Sequence, residues 1–269
     1  MTLPDPDREI YPNAPLKLVA FELRFPQVPE LARPPAQFER AIKHELPILG
    51  PVPQQVTIEL QPGGPIATQH VGGGLRRLDR RRRRSIVLTP VNLILETSSY
   101  TRFEEFREFV ENALRALATS ADIPASTRIG LRYIDEIDSA LLTQPVRWDH
   151  YIAPALLGAM THFGTTPVEL QTAAVFRPSA ETNVVLRYGI VNQPVVDPAG
   201  PLAITNSPPG EYFLIDIDSS WSAPADDLPE FNPDHVLEHL DRLHAPVREA
   251  FEASITDELR EELLRKEEA

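Results

Sequence analysis

A chain of 269 residues, 42% hydrophobic and 24% charged, is long enough to bury one large core or two smaller ones, and this balance excludes disordered, collagen-like and membrane-embedded classes. The lack of any cysteine excludes disulfides, thiolate zinc sites, iron–sulfur clusters and cysteine nucleophiles, and a net charge of −13 argues against a general binder of nucleic acid or anionic membrane. No apolar run approaches the roughly 18 residues of a membrane span, and Asp5, Asp7 and Glu9 stand where a secretory signal would be basic and then apolar, so a cytoplasmic location is expected.

Residues 1–14 are polar and proline-punctuated and read as a flexible leader unless something ties them down. A first strand is expected over 16–25, with Val19, Phe21, Leu23 and Phe25 at period two and Glu22 and Arg24 on the opposite face. A short helix fits 35–46, ended by Pro47, and strands follow over 54–60, 66–71, 84–89 and 91–97. Residues 100–118 form an amphipathic helix, with Phe103, Phe106, Val110, Leu114 and Leu117 on one side. Further on, a strand is expected over 128–137, an imperfect helix over 148–159, strands over 168–176, 182–191 and 212–218, and a helical tail from Pro233. In that tail Pro246 is expected to kink or split the helix, and Thr256 to cap a last acidic segment.

Leu23-Arg24-Phe25 resembles Leu131-Arg132-Tyr133. The stretch 93–99 before the first long helix resembles 214–220 before the second. The order strand, helix, several strands, long helix is thus used twice. The expected fold is α+β with two similar halves, 15–122 and 126–269, each a mostly antiparallel sheet packed on a long helix.

The pieces Tyr11-Pro-Asn-Ala-Pro-Leu16, Phe21-Glu-Leu-Arg-Phe25, Leu95-Glu-Thr97 with Tyr100, Arg128-Ile-Gly-Leu-Arg-Tyr-Ile134, Phe213-Leu-Ile-Asp-Ile-Asp218, Leu243-His244, and Phe251 with Ile255-Thr256 occur in this order. Together they resemble a sporadically distributed family of uncharacterised bacterial proteins of about 250 residues. The resemblance runs from Tyr11 to about Leu264. Members of that family carry asparagine where this chain has Asp135. The resemblance implies no activity, cofactor or catalytic residue. It does imply genes that travel horizontally, as defence or mobile-element accessories do.

The densest local signal is 76–84, seven arginines and one aspartate in nine residues: Arg76, Arg77, Arg80, Arg81, Arg82, Arg83 and Arg84 around Asp79. One reading is a hairpin that meets an acidic protein partner or another copy of the chain, since guanidinium forks pair with carboxylates and phosphates. The other is a solvated hairpin enriched by codon bias. Only Lys17, Lys43 and Lys266 are lysine among 26 basic residues, the skew of a GC-rich bacterial genome, and no aromatic interleaves the run to stack bases. Gly72, Gly73 and Gly74 lack the lysine of a phosphate loop and read as a turn.

His235-Val-Leu-Glu238-His239 matches the inverted zinc-protease pattern, but it also arises by chance on a polar helix face. Asp216 and Asp218 share one strand face opposite Phe213, Ile215 and Ile217, and Arg24, Arg132 and Arg187 recur on strands. Together with Glu22 these groups form a candidate site between the halves, in which arginines grip an anionic ligand and a divalent metal is open to the aspartates. Structural ion pairs are the competing explanation. Ser98, Ser99, Ser219 and Ser220 precede the expected long helices as cap candidates. No standard catalytic motif is present and no cofactor is expected. The reading is therefore a non-enzymatic binding or adaptor protein for a protein or small anionic partner. An enzyme acting on an anionic small molecule is the first alternative and a nucleic-acid accessory protein the second.

Overall fold

The computed structural model describes residues 10–52, 56–61, 64–69, 73–158, 167–204, 208–224 and 226–266, with the backbone alone at 56–61 and 64–69. The fold is α+β. One antiparallel sheet of nine strands is built from β1 (Leu16–Arg24), β2 (Ile48–Gly50), β5 (Leu75–Leu78), β6 (Arg84–Leu88), β7 (Asn92–Thr97), β8 (Arg128–Asp138), β9 (Thr172–Phe176), β10 (Thr182–Val191) and β11 (Tyr212–Ser222), in the spatial order β2-β5-β6-β7-β1-β8-β11-β10-β9. A separate hairpin, β3 (Val56–Gln61) with β4 (Gly64–Gln69), is inserted between β2 and β5. Among the described residues the α-helices are α1 (Ala36–Lys43), α2 (Phe103–Ala118), α3 (Trp148–Tyr151), α4 (Pro233–Ser254) and α5 (Asp257–Leu259).

The expected pair of sheets is thus a single sheet. Its seam is the ladder in which β1 pairs with β8 from Leu18↔Ile134 to Arg24↔Arg128, so the strands expected to open each half are hydrogen-bonded to one another. Period two then decides the faces. Val19, Phe21 and Leu23 of β1 lie beside Leu93 and Leu95 of β7 and Ile129 and Leu131 of β8, and all seven are buried. Against this face pack α2, through Phe106, Val110, Leu114 and Leu117, and α4, through Val236, Leu240, Leu243 and Val247. Each fully buried Leu or Phe contributes roughly 1.5–3 kcal/mol, which accounts for the central place of this layer.

Several boundaries depart from expectation for local reasons. The helix expected over 148–159 is only the turn α3 followed by a 3-10 turn at Pro154–Leu156, because Pro154 has no amide to continue the ladder, and residue 159 lies outside the described residues. Strand β11 runs on to Ser222, so Ser219 and Ser220 pair with β8 and β10 and cap nothing. The cap of α4 is Asn232, whose side chain accepts from the Asp234 and His235 amides, with Pro233 in the first turn. Pro246 lies inside α4 without dividing it. Thr256 caps α5 as expected, accepting from Leu259 N at 3.3 Å. Strand β5 begins after Gly73 and Gly74 at φ +115° and +124°, and a Cβ on Gly74 would lie 2.2 Å from the Leu88 carbonyl, so that turn requires glycine.

The described part of the leader is anchored. Asn13 N donates to Leu264 O at 3.1 Å, and the Tyr11 hydroxyl donates to Glu252 and accepts from Arg260. No helix among the described residues is long and apolar enough to cross a membrane. Leu240→Ala, at a fully buried position where α4 meets the sheet, is expected to lower stability by about 2–5 kcal/mol in urea unfolding. A change under about 1 kcal/mol would show that α4 is not integral to the core.

Candidate functional site

The face of the sheet opposite α2 and α4 carries the charged residues singled out above, and the fold does bring them together. Glu22 of β1 pairs with Arg24 at 2.9 Å and Arg128 at 2.8 Å and accepts from Asn92 Nδ2 at 3.0 Å. Arg128 also reaches Asp218 at 3.2 Å. Arg132 grips Asp216 bidentately, both contacts at 2.7 Å, and Arg187 reaches the same carboxylate at 3.2 Å. Asp216 and Asp218 do share a face, but each carboxylate is held by guanidinium groups, which is ion-pair architecture spanning β1, β8, β11 and β10. Sequence reasoning missed Arg128, which joins Glu22 to Asp218, and Asn92, which donates to Glu22.

The arginine run divides in the same way. Arg76 and Arg77, expected on an exposed hairpin, are residues of β5 only 6% and 3% exposed. Arg76 pairs with Glu96 at 3.3 Å, while Arg77 pairs with Glu39 of α1 and donates to the Leu46 and Pro47 carbonyls. The hairpin turn itself is shaped by Asp79, whose carboxylate accepts from the Arg81, Arg83 and Arg84 amides. Arg82, at φ 55°, donates to the Gly200 and Pro201 carbonyls, and Arg84 pairs with Glu45 and lies 5.6 Å from the Phe109 ring. Arg80 and Arg81 remain exposed at the tip.

In α4, the His239 ring packs 4.3 Å from that of Trp221. Burial, with Arg242 nearby, lowers its pKa. Among the described residues no cluster of three His, Cys, Asp or Glu side chains is placed to hold a metal, so His235, Glu238 and His239 gain no further ligand there.

A cavity of about 460 Å³ opens on the other face of the sheet, where residues 10–16, the start of α2, α4 and the end of β8 meet. Its position follows from a register shift. Between Leu16 and Leu18 the β1–β8 ladder slips, which places Leu16 opposite Asp135. Along β8 the helix-facing residues are Ile129, Leu131, Tyr133, Asp135 and Ile137, all buried, so Asp135 occupies an apolar position. It is 5% exposed, lines the cavity, and has no hydrogen-bond or ion-pair partner among the described residues. Burial, helped by the Asp216 carboxylate, pushes its pKa up to about 8, so the acid is mostly protonated at neutral pH.

The walls are aromatic. The Tyr100 and Tyr133 rings meet edge to face at 5.3 Å with their hydroxyls 3.0 Å apart, and His244 stacks on Phe103 at 3.8 Å with the planes 2° from parallel. Burial raises the pKa of Tyr133 well above its ordinary value, so its phenol stays protonated. Arg248 lines the same cavity and makes no hydrogen bond or ion pair with any described residue. Glu252 at the rim is neutralised by Arg260 at 2.7 Å, and Arg102 by Glu105 at 2.9 Å. The signal for this site in the sequence was one aspartate in the apolar register of β8.

Comparison with known proteins gives no family model, no curated relative and no solved structure that matches this chain.

Two measurements separate the faces. Because the unfolded carboxyl releases its proton near 3.8 and the folded one near 8, the Asp135 contribution to stability falls as pH rises between those values. Asp135→Asn removes that slope, so its urea midpoint should gain on the wild type from about pH 5 to about pH 8. A pH-independent gap would show that Asp135 ionises normally. On the other face, Asp216→Asn should cost more stability than Asp218→Asn, because the Asp216 side chain is 2% exposed and the Asp218 side chain 22%. Equal small losses would remove the structural reading of that network.

Proposed function

We propose that this protein binds a small organic molecule in the cavity floored by Asp135. The observation that carries the reading is the carboxyl of Asp135, 5% exposed, which lines the cavity with no hydrogen-bond partner among the described residues and so turns its donor and acceptor to whatever enters. The volume of about 460 Å³ and the aromatic walls suit such a ligand. Tyr11, Ala14, Tyr100, Tyr133, His244 and Phe251, all within the pieces that resemble the sporadic bacterial family, line this one cavity. A protonated acid offers one donor and one acceptor, as does the carboxamide which that resemblance expects at position 135. The binding site proposed is thus not the arginine–aspartate face, whose charges satisfy one another.

We also infer that the fold arose by duplication. In support, β7, β6 and β5 flank β1 in the same order as β11, β10 and β9 flank β8, and a long helix follows β7 and β11 alike.

Ala14 is exposed on the cavity wall, so Ala14→Trp can fill the opening without entering the core. Native mass spectrometry of protein purified gently should show an added small-molecule mass. Titration with 1-anilinonaphthalene-8-sulfonate, a general apolar probe, should show saturable binding that is lost in Ala14→Trp. Equal probe binding by both proteins would overturn the assignment of the cavity.

A further inference from the structure

We infer that the cavity takes a planar heterocycle that turns a cis-amide or amidine edge to Asp135 and an anionic substituent to Arg248. This rests on the binding reading above and specifies the ligand. Two groups in the cavity lack partners among the described residues, the carboxyl of Asp135 at the floor and the guanidinium of Arg248. A protonated carboxyl presents an O–H donor beside a C=O acceptor in one plane, and the group that satisfies both at once is a ring edge with an acceptor beside an N–H. Burial and the neighbouring Asp216 keep Asp135 in that form at neutral pH. Tyr100, Tyr133 and Phe251 line the same cavity and offer ring faces or edges to a flat ligand. Of the other charged lining residues, Arg102 and Glu252 are neutralised by Glu105 and Arg260, and Glu104 is engaged within the protein, which leaves Arg248 to take a carboxylate or phosphate as a bidentate fork. An ammonium ligand would be drawn to an ionised Asp135, but it would leave the Arg248 charge unanswered.

Five probes separate these features when titrated calorimetrically into the full chain: orotate and uridine 5′-monophosphate carry edge and anion, uridine the edge alone, benzoate the anion alone, and tyramine a cation. Orotate or the nucleotide should bind most tightly, and which of the two binds distinguishes carboxylate from phosphate. Asp135→Asn keeps a donor and an acceptor and should hold the affinity within about threefold, whereas Asp135→Leu should lose about tenfold or more. Arg248→Gln should reduce orotate and the nucleotide to the level of uridine and abolish benzoate binding. Thermal melts check that each variant folds, and Asp135→Asn carries the test if Asp135→Leu does not. Benzoate binding as tightly as orotate would show that no edge is read. Tyramine binding that disappears in Asp135→Asn would make Asp135 the counter-ion of an amine, and either result overturns the proposal. If none of the five binds while anilinonaphthalenesulfonate still enters the wild type and not Ala14→Trp, the ligand class is wrong and the binding reading stands. If that dye is not taken up either, both fall.

Discussion

The antiparallel ladder between β1 and β8 is the constraint on which the rest of the structure depends. These two strands lie in the middle of nine, so their pairing joins the N-terminal meander to the C-terminal one and places both long helices on the same face. A single core follows, with α2 and α4 packed side by side over Phe21, Leu131 and Ile217. Central strands have no free edge, so their specificity comes from side-chain alternation, and a slip of one residue would exchange apolar and charged faces. The one place where register does shift, between Leu16 and Leu18, is where the cavity opens opposite Asp135.

The acids on the two faces of the sheet are handled in opposite ways. On the face opposite α2 and α4, Glu22, Asp216 and Asp218 are held by Arg24, Arg128, Arg132 and Arg187, so each group is paired and fixed in direction. On the helix-packed face Asp135 has no ion-pair partner among the described residues, and burial favours its protonated form instead. The two solutions lie on neighbouring strands: Asp216 touches its arginines on one side of the sheet while its charge helps hold Asp135 neutral on the other. A network that reads locally as structural therefore also sets the chemistry of the cavity floor.

Much of the architecture was legible because it is written as periodicity. β10 and the amphipathic face of α2 follow directly from where the apolar residues fall, and alternation places Glu22 with Arg24 and Asp216 with Asp218 on one strand face, whereas nothing in the alternation marks Arg128 or Asn92. What periodicity could not supply was pairing. Two apolar strands with the same Leu-Arg-aromatic ending read equally well as the first strands of separate sheets or as neighbours in one, and only the β1–β8 ladder decides between them. β5 was hidden because Arg76 and Arg77 look like surface residues, yet their stems lie in the sheet and their heads are met by Glu96, Glu39 and backbone carbonyls. The most conspicuous feature of the sequence is thus largely internal structure, while the candidate site rests on one acid whose importance is visible only when its strand face is known.

The cavity is also inseparable from the completed fold. Its walls come from residues 10–16, 100–104, 133–135 and 244–252, and the first of these is fixed by contacts to the last part of the chain, with Asn13 bonded to Leu264 and Tyr11 to Glu252 and Arg260. No subset of neighbouring elements encloses it. A molecule bound there gains its contacts only in the fully assembled state, so its binding free energy adds to global stability instead of ordering one loop.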